Sequence, residues 1–309
     1  MKLVFLVYDS RSGSTLLSRE IAAQFPDVYV SPEIRFDALF GRDAGWWKHA
    51  ADGRVLRLLE AGRIPEKLGL ARDELQRRSS GARGVRPLIE DLIICAAARD
   101  GRGPPDVAVI KSGRHLRAAR RILADIPDAR FLYVVRDPRA AIASKLMTER
   151  PYVPGQKMAW AGVGAAALQW CWYGRLARRL SKSSPLLALK YESLLKDSAG
   201  TSEAVAQFLG SRRGSGGARY RVPDAERAIH QRAIADGIDA SRASAWRAEL
   251  SPGDQAVIES VCGREMRRWG YKTDGSLHPI RAAALVARAF AVSVARIARE
   301  AATRVGGSR

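Results

Sequence analysis

A run of small and hydroxylated residues near the start of the chain has the composition of an anion-binding turn. Residues 9–17 read Asp-Ser-Arg-Ser-Gly-Ser-Thr-Leu-Leu, after an apolar run and before a helical apolar pattern. This order predicts a strand, a tight turn and a helix start. Backbone N–H groups in such a turn point together from the positive end of a helix dipole, where phosphates bind. Further donors would come from Arg11, Ser12, Ser14 and Thr15.

The turn is not a Walker A loop, because that loop has a Lys directly before its Ser or Thr. Ser14 stands at this position, and the cation lies at the front of the turn as Arg11. A serine-rich turn that only caps a helix would have a similar composition. The turn alone therefore leaves both interpretations open.

A second candidate anion site follows the apolar run at residues 131–135. This run lacks polar alternation and predicts a strand covered on both faces, as in a parallel sheet. Arg136 closes the strand, Pro138 suits the first turn of the next helix, and Ser144 follows Arg136 by eight residues. A strand end before a helix start is a common anion site. The alternative is that Arg136 pairs with Asp137 or another carboxylate, with Ser144 a neutral helix position.

Short apolar runs alternate with helical patterns along the chain and predict an α/β fold with a doubly wound, mostly parallel sheet. We expect one domain over residues 1–275, with a helical insertion at 41–104 that could shape an acceptor pocket. A further helix is expected near residues 224–235. Residues 276–309 predict a basic amphipathic helix that either docks on the domain or lies on an anionic membrane. Its predicted apolar side carries Phe290, Val294, Ile297 and Ala301.

Composition limits the classes of function. The formal charge of +20 arises from 52 basic and 32 acidic residues and favours anionic partners. Three widely spaced cysteines and four isolated histidines indicate neither a disulfide framework nor a metal site. The longest uncharged run, residues 158–174, contains Gln169 and three glycines, which makes it too polar for a membrane span. No signal-peptide pattern is present, so we expect a cytoplasmic protein.

The two anion motifs together resemble those of the sulfotransferases that use 3′-phosphoadenosine-5′-phosphosulfate (PAPS). Arg-Ser-Gly-Ser-Thr followed by two leucines is similar to the family's 5′-phosphosulfate loop, and Val-Val-Arg-Asp-Pro-Arg-Ala with Ser144 is similar to its 3′-phosphate motif. The resemblance covers roughly residues 1–40 and 105–271 and is to the bacterial type. It implies a P-loop-like fold, PAPS as co-substrate, 3′,5′-adenosine bisphosphate (PAP) as product and no metal. The implied cofactor contacts are Arg11, Ser12, Gly13, Ser14, Thr15, Leu16, Arg136 and Ser144.

Two further residues would carry the chemistry. Glu33 follows Arg11 by 22 residues, past a second short strand, so its carboxylate could return to the same sheet edge and accept a proton. Tyrosylprotein sulfotransferases place a catalytic Glu here, and Pro-Glu-Ile-Arg at residues 32–35 is similar. Lys111, at the end of another predicted strand, resembles the Lys that stabilises the transferring sulfonate. Alternatively, Glu33 pairs with Arg35 or Arg11, and Lys111 is a solvated strand-end lysine.

The resemblance extends toward the C-terminus with one departure. Tyr191 lies in a segment similar to the family's Tyr-Glu-x-Leu, where the Tyr lies near the adenosine. The segment from Trp246 onward is similar to the family's closing loop, but the family's preceding Lys is replaced by Ala245. The cofactor contact at this point would fall to Arg242, to Ser244 or to neither.

The sequence thus predicts transfer of a sulfonate from PAPS to the hydroxyl of a carbohydrate, glycolipid, peptide or small alcohol. One alternative is a P-loop kinase of a small metabolite, but a loop Lys and a carboxylate for Mg²⁺ are missing from their expected places. Another is a non-catalytic basic protein that binds membranes or polyanions. That alternative leaves the ordered pair of anion motifs unexplained. No specific nucleic-acid partner is indicated, and the acceptor and the oligomeric state stay open.

Overall fold

A computed structural model describes residues 1–150, 153–215, 217–224, 226–227, 239–274 and 279–306. The helix expected near residues 224–235 lies largely outside this described part. The strands are β1 (Lys2–Tyr8), β2 (Val28–Glu33), β3 (Val107–Lys111), β4 (Arg130–Val135), β5 (Glu149–Arg150), β6 (Val153–Lys157) and β7 (Leu186–Lys190). Strands β5 and β6 form a small antiparallel pair that the sequence did not predict.

The main sheet has five parallel strands in the order β2-β3-β1-β4-β7. Alternate residues of each strand point to opposite sides of the sheet, and both sides are apolar. Helices therefore cover both faces. In β1, Leu3, Phe5 and Val7 enter one buried cluster, whereas Val4 and Leu6 enter the other. The predicted class, a mostly parallel α/β sheet flanked by helices, is confirmed.

The helices follow the predicted alternation with the strands. They are α1 (Ser14–Gln24), α2 (Ala44–Lys48), α3 (Arg54–Ala61), α4 (Ile64–Leu68), α5 (Arg72–Ser80), α6 (Val85–Arg99), α7 (His115–Asp125), α8 (Pro138–Met147), α9 (Val163–Leu180), α10 (Tyr191–Lys196), α11 (Ser198–Leu209), α12 (Trp246–Glu249), α13 (Pro252–Arg268) and α14 (Pro279–Gly306). Short 3₁₀ turns occupy Ala50–Asp52 and Ala240–Ala243. Helices α2 to α6 stand between β2 and β3, in the segment predicted to be helical.

The strand order brings the predicted motifs to one edge of the sheet. Strand β1 lies between β3 and β4, and parallel strands present their carboxyl ends at the same edge. The turn after β1, Lys111 at the end of β3 and Arg136 after β4 are therefore neighbours in space. Glu33, the last residue of β2, is the backbone partner of Lys111.

The C-terminal helix α14 docks on α9 and α13. Small residues make the contact: a Cβ on Gly164 would lie 3.3 Å from the backbone of Ala289, and the Ser293 hydroxyl accepts from the Ala165 N–H at 3.3 Å. The predicted apolar side was wrong in part, because Val294 and Ile297 are 65% and 48% exposed. Close approach of the two backbones selects small side chains over large apolar ones. Among the described residues, we find no helix with both the length and the apolarity of a membrane span.

Candidate active site

The turn between β1 and α1 has a strained backbone. Arg11 has a φ of 66° and Gly13 a φ of 91°, and both values lie in the left-handed region. For a non-glycine residue such as Arg11 this conformation costs on the order of 1 kcal/mol, so the surrounding structure must hold it. The Ser12 hydroxyl is buried and has no hydrogen-bond partner within the described part of the chain. A buried donor without a partner is the expected state of a site that completes its hydrogen bonds with a ligand.

Gly13 also permits a close contact with Tyr191, the first residue of α10. A Cβ at Gly13 would lie 2.2 Å from a ring carbon of Tyr191, which is closer than atoms can approach. The same ring lies under the Arg136 guanidinium, whose central carbon is 4.4 Å from the ring centroid. Tyr191 therefore connects the two predicted phosphate motifs. Burial raises the pKa of its phenol, which stays protonated.

Arg136 is 6% exposed, yet its guanidinium makes no ion pair with a carboxylate in the described residues. It donates to the carbonyl of Arg11 at 3.2 Å and to that of Arg242 at 2.8 Å, and its Nε has no partner among the residues described. The alternative of an Arg136–Asp137 pair is wrong, because Asp137 pairs with Arg139 at 2.7 Å. Burial lowers the pKa of Arg136. An anion would offset the cost of this buried charge.

Arg11 links the first motif to the second. Its Nε donates to the Ser144 hydroxyl on α8 at 2.9 Å. Burial, together with the positive charges of Arg136 and Arg242, lowers the pKa of Arg11 to about 10. Several guanidinium groups are thus concentrated where the sequence predicts two phosphates. The structure brings Arg11, Arg136, Ser144 and Tyr191 together, as the paired motifs required.

Lys111 is 2% exposed, which contradicts the alternative of a solvated lysine. Its Nζ donates to the Thr15 hydroxyl at 2.9 Å and to the Tyr220 hydroxyl at 3.2 Å. Burial lowers the pKa of Lys111, while the negative charges of Glu33 and Glu226 oppose this shift. The lysine therefore joins the end of β3 to the first turn and to the segment that carries Tyr220.

The Glu33 carboxylate lies beside this lysine. Within the described residues it makes no ion pair, and the alternative partner Arg35 lies 3.7 Å from Asp37 instead. The backbone carbonyl of Glu33 accepts from the buried Lys67 of α4 at 2.7 Å, so the helical segment positions the end of β2. Burial and the charge of Glu33 raise the pKa of the nearby Tyr8 well above its ordinary value. Tyr8 therefore stays neutral at this edge of the sheet.

The remaining predicted contacts differ in their placement. Arg242 reaches the site through its carbonyl, which accepts from Arg136, while its guanidinium lies 3.4 Å from Glu249. Ser244 is exposed and donates to the carbonyl of Ser241 at 3.3 Å. The Leu16 side chain is buried in the core beneath the turn, so that only its backbone is available to a ligand.

Sequence reasoning missed a buried ion pair beside the turn. Lys145 Nζ lies 2.5 Å from a carboxylate oxygen of Asp9, and the Gln169 amide donates to the other oxygen at 2.6 Å. The one sequence feature that indicated this ion pair was the position of Asp9 directly before the turn. Tyr220 was also missed, since no local pattern links it to Lys111. No cluster of metal-ligating side chains occurs among the described residues.

Comparisons with known proteins identify the family and the fold of this chain. The model of the sulfotransferase family matches residues 4–213. The sulfotransferase domain of the Synechococcus PCC 7002 olefin synthase has a TM-score of 0.59 at 20% identity, over 88% of this chain and 95% of that domain. The sulfotransferase domain of the curacin biosynthetic pathway has a TM-score of 0.56 at 17% identity, over 88% of this chain and 98% of that domain.

A mouse sulfotransferase, SULT7A1, complexed with PAP, is more distant, with a TM-score of 0.45 at 15% identity over 86% of this chain and 85% of that chain. A search of curated proteins found no match. The family model covers more than half of the chain, from β1 to the segment after α11. The chain therefore belongs to the sulfotransferase family.

Proposed function

We propose that this protein transfers a sulfonate group from PAPS to an acceptor hydroxyl. The observation that carries the proposal is the buried Arg136 guanidinium, which has an unpartnered Nε and no carboxylate partner among the described residues. It is hydrogen-bonded to the turn that holds the buried, unpartnered hydroxyl of Ser12. These two donors without partners, the Ser12 hydroxyl and the Arg136 Nε, fit a ligand with two anionic ends, as PAPS has.

PAPS supplies an electrophilic sulfonate on a phosphate leaving group. Backbone and side-chain donors of the turn from Arg11 to Thr15 would hold the phosphosulfate end, and Arg136 with Ser144 would hold the 3′-phosphate. The Tyr191 ring would form a wall of the nucleotide site. Fixed positions for both ends would supply much of the rate acceleration by orientation.

The reacting groups would come from the ends of β2 and β3. Glu33 would accept the proton of the attacking hydroxyl, and the Lys111 ammonium would stabilise negative charge that develops on the sulfonate and the leaving phosphate. Thr15 and Tyr220 hold the Lys111 ammonium in place at 2.9 and 3.2 Å. Removal of water from this buried cation strengthens its effect.

Calorimetric titration with PAP in the presence of a chelator tests the proposal. We expect PAP to bind without Mg²⁺, ATP to bind much more weakly, and Arg136→Ala to weaken PAP binding at least about 100-fold, since a buried charge-assisted contact is lost. The matched control is Arg212→Ala, which removes an exposed arginine next to Ser211, on the opposite edge of the sheet near Asp27. Tight ATP binding, together with unchanged PAP binding by Arg136→Ala, would favour the kinase alternative.

We also propose that the outer face of α14 contacts anionic membranes peripherally. The exposed residues Ile280 and Val294 accompany the exposed Arg281 and Arg288 on this helix. A cavity of about 430 Å³ between α14 and the β5–β6 pair includes Arg296 and Arg299 in its lining and could receive a lipid phosphate.

Cosedimentation with vesicles tests the membrane contact. We expect binding to vesicles that contain phosphatidylglycerol, little binding to phosphatidylcholine alone, and loss of binding in Arg281→Ala/Arg288→Ala. Equal sedimentation with both kinds of vesicle would count against it. A cytoplasmic location stays a prediction from the sequence.

A further inference from the structure

A surface beside Glu33 combines incompletely neutralised arginines with exposed apolar side chains. Helix α7 starts four residues after Lys111, so Arg114 and Arg117 lie at the edge of the sheet where β3 ends. Helix α9 packs against α7 and exposes Leu168 and Trp172 by 51% and 43%. We name these four residues the Arg117–Trp172 face.

The two helices are joined by direct contacts on this face. The Arg117 guanidinium carbon lies 5.2 Å from the centre of the Trp172 ring. Trp172 in turn meets Tyr173 edge to face, with ring centroids 5.6 Å apart. These contacts hold the Arg117 guanidinium next to the exposed Trp172 ring, whereas an arginine without such contacts would be free to move on the surface.

Tyr173 connects this face to the candidate catalytic groups. Its side chain is 8% exposed, and burial raises the pKa of its phenol to about 12. The carboxylates of Asp9 and Glu33 act in the same direction, whereas Arg117 and Arg114 act against them. The phenol therefore lies within electrostatic reach of Glu33 and of both arginines.

Positive charge on this side exceeds negative charge. Arg35 and Arg114 share one carboxylate, that of Asp37, at 3.7 and 3.4 Å. The Arg114 atom in this ion pair is its buried Nε, which forms no hydrogen bond within the described part of the chain. Arg117 makes no ion pair with any described carboxylate. The surface thus offers two incompletely neutralised guanidinium groups next to exposed apolar side chains.

We propose that the Arg117–Trp172 face binds the acceptor and selects an anionic amphiphile, a molecule that carries an acidic group and an apolar segment in addition to its reactive hydroxyl. This proposal rests on the proposed sulfotransferase function. Arg117 and Arg114 would bind the acidic group, and Trp172 with Leu168 would cover the apolar segment. A neutral polar acceptor would leave the arginines without a counter-charge, so the same face discriminates against it.

The test compares two probes that differ in one charge. Calorimetric titration of the PAP-loaded protein with 10-hydroxydecanoate and with its methyl ester measures the preference for the acid. We expect the acid to bind about tenfold more tightly, which is the scale of one well-placed charge contact. In Arg117→Ala the preference should fall to within about threefold, and Arg117→Lys should recover part of it.

Two controls keep the outcome interpretable. Arg212→Ala should retain the full preference, and Leu168→Ala should weaken binding of the acid and the ester alike, since it removes apolar contact and not charge. Equal binding of acid and ester to the wild type, or an unchanged preference in Arg117→Ala, would overturn the proposal.

The same titrations separate this inference from the function on which it rests. Arg117-dependent binding of the acid without any binding of PAP would overturn the sulfotransferase proposal and leave the anion-selective face intact. Arg136-dependent binding of PAP without a preference for the acid would overturn the anion-selective face and leave the sulfotransferase proposal intact. Measured melting temperatures of the variants, unchanged from the wild type, exclude unfolding as the cause of either result.

Discussion

Glu33 and Lys111 are backbone partners at the ends of two neighbouring parallel strands, β2 and β3. This pairing places a carboxylate and a buried ammonium at the edge of the sheet that also holds the turn from Arg11 to Thr15. The Glu33 charge opposes the lowering of the Lys111 pKa by burial. One strand pairing thus positions both the proposed base for the acceptor and the proposed cation for the sulfonate.

Glu33→Gln should lower kcat at least about 100-fold, because the acceptor hydroxyl would lose its base. Affinity for PAP should stay within about threefold of the wild type, since Glu33 is not assigned to the nucleotide. Labelled PAPS in a turnover assay and PAP in calorimetry give the two values. Glu203→Gln, an exposed change on α11, is the matched control. Near-normal turnover in Glu33→Gln would remove Glu33 from the mechanism.

Lys111→Met should separate catalysis from stability. Methionine keeps much of the side-chain volume but removes the buried charge, so the melting temperature should be unchanged or raised. Turnover should fall by about 100-fold or more, because charge on the sulfonate and the leaving phosphate would lose its stabilisation. A variant that is much less stable but fully active per folded molecule would assign Lys111 a structural role only.

Gly13→Ala should damage the phosphate turn for two reasons. A side chain is strained at a φ of 91°, and the new Cβ would lie 2.2 Å from the Tyr191 ring. We expect PAP affinity to fall at least about tenfold. Gly101→Ala is the control, because Gly101 has a φ of 72° with open space around its Cβ position and lies before β3, away from the turn; this variant should bind PAP normally. If Gly13→Ala binds PAP as tightly as the wild type does, close packing of Tyr191 on the turn is not required for binding.

His115 should make the protein acid-sensitive. Burial lowers the pKa of this histidine from 6.5 to about 4, and its Nε2 accepts a hydrogen bond from the Phe36 N–H at 3.2 Å. Between these two pKa values the unfolded chain binds more protons than the folded one, so stability falls as the pH drops from 6.5 to 4. The full loss is about 3 kcal/mol.

Urea denaturation at several pH values measures the contribution of His115. His115→Gln removes the titration and should flatten the free energy of unfolding between pH 6.5 and 4, relative to the wild type. An identical slope in both proteins would show that other groups cause the acid sensitivity.

Local sequence patterns predicted much of the fold and several of the residues that meet at the candidate site. Each strand of the main sheet was recognisable as an apolar run, and the turn at Arg11 and the strand end at Arg136 had recognisable residue types. Lys145 and Tyr220 had no such signal, because their partners Asp9 and Lys111 are more than 100 residues away in the chain. The exposure of Val294 and Ile297 was also unpredictable, since it depends on how closely α14 approaches α9.

The sequence by itself determined which residues could bind anions and which could move a proton, because residue type and strand-to-helix order are local properties. Only the tertiary structure decided that these residues meet. The strand order places β1 between β3 and β4, and this brings the turn after β1 between Lys111 and Arg136. Strand order follows from which apolar faces pack together across the whole chain, and no local spacing encodes it. The same packing sets Arg117 against Trp172 and leaves their charge and apolar surface available beside Glu33.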